Sequence, residues 1–241
     1  MTSVSNARAA APKRFYTTAS IEPTQAGYAL RLDGRPARTP ARAELAAPTK
    51  ALGDALAAEW DSQGETVELR AMALTRLLST AIDRGADEGP AWREEIVRFA
   101  GADLLCYRAE APAELADRQQ RVWGGFLTDI DARRGLVFAS AEGVIAVEQP
   151  PATLNAVRSF LDGESAHRLI ALKSLTEIAG SFVLALAVAD RAATAEEAFA
   201  ASRLDETYQA EQWGIDAEAE AREAALRSDF LATARFLALL G

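Results

Sequence analysis

The sequence predicts an α+β protein, with a small β-rich N-terminal domain followed by a larger α-helical C-terminal domain. Tyr28, Leu30 and Leu32 alternate with Ala29 and Arg31, and Asp33-Gly34 follows them directly, which is strand chemistry ended by a hairpin turn. From Ala73 the apolar period changes from two to about 3.6. The final third of the chain reads as helix almost throughout.

In chain order, residues 1–12 read as a flexible tail, 13–85 as the β-rich domain and 86–241 as the helical one. The hairpin is placed near residues 27–40, with Gly34 as the turn residue that needs a positive φ. A helix follows Pro48, carrying Leu52, Leu56 and Trp60 at i, i+4 and i+8, and Gly64 ends it. The stripe makes Trp60 a core residue, and Val67 to Leu69 reads as one more short strand. Leu74, Leu77, Leu78, Ala81 and Ile82 form the next stripe, then a loop is read at Gly85 to Pro90, then a second stripe at Trp92, Ile96 and Phe99. A long helix carries Leu115, Val122, Trp123, Phe126, Leu127 and Ile130 and closes at Arg133-Arg134-Gly135. The passage 136–147 is β-like and is read as able to return to the N-terminal sheet. Helices are then predicted at Ala152–Leu161, His167–Ala189, Glu196–Trp213 and Ala217–Leu240. Thr194 and Glu197 have capping-box spacing, and Gly214 is a helix-ending glycine.

Composition excludes several functions. Hydrophobic residues make up 49% and charged residues 25% of the 241, a globular balance, and the net charge of −9 argues against a general nucleic-acid binder. The single cysteine, Cys106, cannot close an internal disulfide, which points to a reducing compartment. The longest uncharged apolar run, Ile178 to Ala189, is too short for a membrane span of about 20 residues. The bacterial cytoplasm is the expected location, with the mitochondrial matrix as the alternative because Arg8, Lys13 and Arg14 precede the first acidic residue, Glu22.

One histidine, His167, leaves almost no imidazole-based catalytic or metal site available, and its place at the start of an apolar helix gives it a structural or capping reading. Cys106 lies among apolar neighbours with no base beside it and reads as an inert thiol. No glycine-rich phosphate loop and no nucleophile elbow occurs. Glu177 can pair with Lys173 one turn earlier. No catalytic residue, metal ligand or cofactor is therefore assigned. Trp213 differs from Trp60, Trp92 and Trp123, because it lies at a helix end beside Gly214. Helical spacing puts Glu206, Gln209 and Trp213 on one face, and Asp216 opens the next helix. A rigid aromatic among hydrogen-bonding groups is the composition of an interface hot spot; a structural helix corner is the competing reading.

Lys13-Arg14-Phe15-Tyr16, Leu32 to Pro40 (LDGRPARTP) and Ala58 to Gln63 (AEWDSQ), taken in order, carry a resemblance to the ATP synthase alpha-subunit assembly chaperones of mitochondria and related bacteria. It continues through Met72 to Thr75, Thr80 to Asp83, Asp103 to Arg108 (DLLCYR), Gly180-Ser181 and the apolar helix after it, and ends on Glu206, Tyr208-Gln209 and Trp213-Gly214. The resemblance implies a holdase for the unassembled alpha subunit, covering its assembly surface until the beta subunit takes over, with no nucleotide cycle. It implies a client-binding role for Glu206, and the motif leaves Asp205 and Glu206 both open as the critical carboxylate. Glu206, Gln209, Trp213 and Asp216 are the candidate client-binding residues, and a soluble monomer is the expected state. The competing readings are a carboxylate-based enzyme in a helical domain and a structural subunit of a stable complex.

Overall fold

The computed structural model describes residues 12–143 and 147–241. The predicted tail, apart from its last residue, and residues 144–146 of the β-like passage lie outside the described residues. The chain divides into two compact units, Met1–Ser79 and Thr80–Gly241.

The N-terminal unit is built on an antiparallel sheet of β1 (Ala19–Thr24), β2 (Gly27–Leu32), β3 (Arg35–Pro36) and β4 (Ala46–Ala47). β2 is central, pairing with β1 from Ala19↔Leu32 to Thr24↔Gly27, and with β3 and β4. The predicted turn joins β2 to β3: Asp33 and Gly34 have φ of 49° and 76°, the two positive values that a tight hairpin turn needs. The Asp33 carboxylate accepts from the amides of Thr17 and Thr18 at 2.9–3.1 Å, and those backbone donors hold its pKa below the usual value. The sequence reading missed β1, whose residues ASIEPT alternate only weakly: Ile21 is the one large apolar side chain, and Pro23 counts against a strand. Val67 to Leu69 is not a named strand: Val67 donates to the carbonyl of Pro12, and Leu69–Ala71 is a short 3-10 turn.

Helix α1 (Lys50–Asp61) starts at Thr49, whose side chain accepts from the Leu52 amide, and packs on β1 and β2. Leu52, Leu56 and Trp60 are buried along its inner face. Each such side chain contributes about 1.5–3 kcal/mol by leaving water. Trp60 donates from Nε1 to Thr75 Oγ1 at 2.9 Å, and its carbonyl accepts from the Tyr16 hydroxyl at 2.7 Å.

Helix α2 runs without interruption from Ala73 to Gly101, correcting the loop predicted at Gly85 to Pro90. Gly85 is there for packing. A Cβ on it would lie 2.4 Å from the Cβ of Ala166, so its bareness admits the start of another helix. Pro90 lies inside α2, where it removes one helix donor. β5 (Tyr107–Arg108) follows, then α3 (Ala113–Arg134), closed by Gly135 in the left-handed conformation.

The β-like passage does not extend the N-terminal sheet among the described residues. Ala141–Glu142 (β6) pairs parallel with β5, and residues 136–140 form no strand. Side chains satisfy that backbone instead: Gln149 bonds both the amide and the carbonyl of Ala139 at 2.9 Å, and Thr153 donates to Val137 O at 2.5 Å.

Helix α4 (Pro151–Asp162) agrees with the predicted helix at 152–161. The two long helices predicted next are each broken. His167–Ala189 is α5 (Ala166–Ala179) and α6 (Phe182–Ala189), parted by Gly180 at φ 66° and by Ser181, which caps α6 at the Leu184 amide. Glu196–Trp213 is α7 (Ala195–Ser202) and α8 (Leu204–Trp213), parted at Arg203 with φ −108° and ψ 16°. No breaker residue marks that site. Arg203 leaves the helix and donates from Nη2 to Ile178 O at 3.1 Å, supplying a donor to the last turn of α5. The Thr194–Glu197 capping box forms in full.

The last helix, α9 (Ala217–Leu240), matches its predicted limits. Its buried residues all lie from Phe230 onward, where it packs against α5, α6 and α7, with the Phe230 ring 5.7 Å from that of Phe199. Trp123 of α3 is buried as well and donates to Ala201 O in α7 at 2.8 Å.

Candidate functional site

The break at Arg203 sets the direction of α8. On its inner side Tyr208 is buried beneath the Arg118 guanidinium, 5.3 Å from its ring, and Asp205 accepts from the buried Gln119 side chain at 2.7 Å. Asp205 is thus tied to α3. Glu206, one residue on, faces out and pairs with Arg203 at 3.2 Å. Of the two carboxylates that the sequence left open, Glu206 is the one on the exposed face.

Glu206, Gln209, Trp213 and Asp216 line one groove of about 430 Å³ between α8 and the first turns of α9. Trp213 is 80% exposed, and Ile215, beside it on the same rim, is 49% exposed. Gly214 makes this arrangement possible. Its φ of 80° and ψ of 173° lie in a region essentially reserved for glycine, and its amide closes α8 on Ala210 O at 2.8 Å. Asp216 also caps α9, its carboxylate accepting from the Ala219 amide at 2.8 Å.

The sequence reading did not include Ile215, Arg203, Arg222 or Leu226, which line the same groove. Ala219, Arg222, Glu223 and Leu226 share a face of α9 by i, i+3, i+4, i+7 spacing, so the far wall was readable once α9 was known to turn back beside α8. The groove therefore offers an aromatic and an aliphatic side chain at one end and charges of both signs along its walls.

The remaining candidates for chemistry are occupied. Cys106 is fully buried, and burial pushes its thiol up to about 12. His167 is half-buried, and burial lowers its pKa. Lys173 bridges Glu177 at 2.5 Å and Glu95 at 3.2 Å. Among the described residues no group of three or more His, Cys, Asp or Glu side chains is placed to hold a metal, and no helix is long and apolar enough to cross a membrane.

The sequence profile of the ATP12 chaperone proteins matches residues 13–131. Protein atp12, mitochondrial, of Schizosaccharomyces pombe is 24% identical over 214 residues, which cover 84% of this chain and 74% of that protein. Among solved structures, Atp12 of Paracoccus denitrificans is 36% identical with a TM-score of 0.91, covering 95% of this chain and 99% of that one. A protein of Agrobacterium tumefaciens is 40% identical with a TM-score of 0.92, covering 95% of this chain and 87% of that one. With a solved Atp12 more than a third identical across nearly the whole of both chains, this chain belongs to the ATP12 chaperone family.

Proposed function

We propose that this ATP12-family chaperone, which acts in assembly of the ATP synthase catalytic head, holds the unassembled alpha subunit through the α8–α9 groove. The observation that carries the reading is the exposed Trp213–Ile215 pair standing beside Glu206 in a single groove. Large apolar side chains presented to solvent next to fixed charges are the chemistry of an interface, with the apolar pair supplying affinity and the charges supplying register. The chain works as a non-enzymatic monomeric holdase in the bacterial cytoplasm or the mitochondrial matrix. Release follows when the beta subunit competes for the covered surface.

The test is suppression of light scattering by aggregating alpha subunit. Wild type should suppress it at a fixed ratio, and Glu206→Lys and Trp213→Ala should each need a clear excess. Suppression at the wild-type ratio by both variants would place the binding face elsewhere. Purified ATP synthase gives a second check, because a chaperone is absent from the finished enzyme and a structural subunit copurifies with it.

A further inference from the structure

The segment Asp33 to Pro40 and the aromatic pair Phe15-Tyr16 belong to the N-terminal unit, and the α8–α9 groove makes no use of them. They meet around a hollow of about 560 Å³. Its floor is aromatic, with Tyr16 and Trp60 buried and their ring centroids 5.5 Å apart. The polar atoms of that floor are already engaged, the Tyr16 hydroxyl on Trp60 O and the Trp60 Nε1 on Thr75. Little of those rings is open, 6% and 8% of each residue, and the Arg14 guanidinium lies 4.6 Å from the Tyr16 ring centroid, so the accessible aromatic surface is that of Phe15. Phe15 stands edge-on to Tyr16 at 5.4 Å and is 71% exposed, although it is a large apolar side chain in an ordered contact.

Arg35 and Arg38 line the same hollow and are exposed. Among the described residues neither guanidinium has an ion-pair partner. The neighbouring arginines are committed: Arg31 pairs with Glu22 at 2.6 Å and Glu44 at 3.1 Å, and Arg14 donates to the carbonyls of Gln63 and Thr17 at 2.5 and 2.9 Å. Asp33, the one carboxylate on the rim, is turned onto the amides of Thr17 and Thr18. In a chain of net charge −9, the hollow is a local positive site over an apolar floor.

We propose that this hollow is a second docking site, taking an extended acidic polypeptide segment that sets a carboxylate on Arg35 or Arg38 and an adjacent aliphatic or aromatic side chain against the exposed Phe15 ring. Charge complementarity selects this occupant. Guanidinium forks match carboxylates in two-point contact, and the acidic remainder of the chain repels the same segment elsewhere. A nucleic-acid strand fits less well, since two free cations cannot offset the repulsion of a net acidic protein. The site belongs to the N-terminal unit alone and does not depend on which client fills the α8–α9 groove.

The experiment uses the full chain and a fluorescein-labelled peptide of alternating glutamate and leucine with one phenylalanine, followed by fluorescence anisotropy. The expected result is saturable binding that weakens as salt is raised, and that falls by about tenfold or more in Arg35→Glu/Arg38→Glu. Arg35→Gln/Arg38→Gln should lose affinity in the same direction and guards against misfolding of the reversed variant. Phe15→Ala should also bind more weakly, and a peptide with glutamine in place of glutamate should bind about tenfold less tightly. The proposal is overturned by an absence of saturable binding, or by arginine variants that bind like wild type. It is also overturned if inorganic phosphate displaces the peptide at constant ionic strength while Phe15→Ala binds normally, because the hollow is then a small-anion site.

Discussion

The Asp103 carboxylate, fully buried, accepts a hydrogen bond from the Val183 amide at 3.0 Å, eighty residues away in sequence, while its other oxygen accepts from the Leu105 amide at 3.1 Å. One side chain thus caps the start of the 3-10 turn Leu104–Cys106 before β5 and satisfies an orphan donor at the start of α6. Asp103→Asn keeps one acceptor and turns an NH₂ toward an amide donor. We expect it to cost about 1–3 kcal/mol, the usual penalty for an unsatisfied buried donor, read as a lowered midpoint in urea.

The same carboxylate gives a pH dependence. Burial pushes its pKa up to about 6, against about 4 in the unfolded chain. A raised acid holds its proton in the folded state where the unfolded chain has released it. Its contribution is therefore fully present below about pH 4 and is lost as pH rises through about 6. Wild type should gain stability over Asp103→Asn as the buffer is taken from about pH 7 to about pH 5, by a few kcal/mol at most. His167, whose pKa is lowered, acts with the opposite sign and cancels in this comparison. A constant gap between the two melting curves would contradict the assignment.

Gly85 and Ala166 form a matched pair across α2 and α5. Gly85→Ala puts two methyl carbons 2.4 Å apart, and the overpacking should cost about 1–3 kcal/mol. Adding Ala166→Gly removes the clash, so the double variant should be more stable than the sum of the single changes. A double-mutant cycle in denaturant measures the coupling.

Glu206 and Trp213 contribute little to the fold. The Arg203–Glu206 pair has a largely exposed carboxylate, and exposed pairs are worth about 0–1 kcal/mol. Glu206→Lys and Trp213→Ala should therefore melt within a few degrees of wild type, so that loss of chaperone activity in either cannot be laid to unfolding. A Glu206→Lys protein that fails to fold would make this residue part of the scaffold.

What the sequence revealed depended on how far apart the partners lie. The Asp33-Gly34 turn, the Thr194 cap and the ends of α9 follow from neighbours a few residues apart, and each is read directly. Gly85 and Arg203 misled because their roles are tertiary. A glycine that admits Ala166 looks like a loop residue, and an arginine that leaves its helix to reach Ile178 O looks like a good helix former. β1 was missed because its alternation rests on one large apolar side chain, Ile21, and meets a proline at Pro23, and its pairing with β2 gives it strand form. At the groove, helical spacing placed Glu206, Gln209 and Trp213 together, whereas the contribution of Arg222 and Leu226 needed the path of α9.

That path has a mechanical consequence. The fully buried residues of α9 all lie from Phe230 onward, so Ala217 to Asp229 form an arm about 20 Å long, rooted in the helical core and joined to α8 at the glycine corner. Arg227 and Glu196, paired at 2.6 Å, are a strut near the root. One wall of the groove is therefore compliant and the other, α8, is pinned through Tyr208 and Asp205. Hydrogen exchange should register this as faster amide exchange over 217–229 than over 230–240, with the difference narrowing once the groove is filled. Such an arm lets the groove change width at little cost, because bending it displaces no fully buried side chain before Phe230.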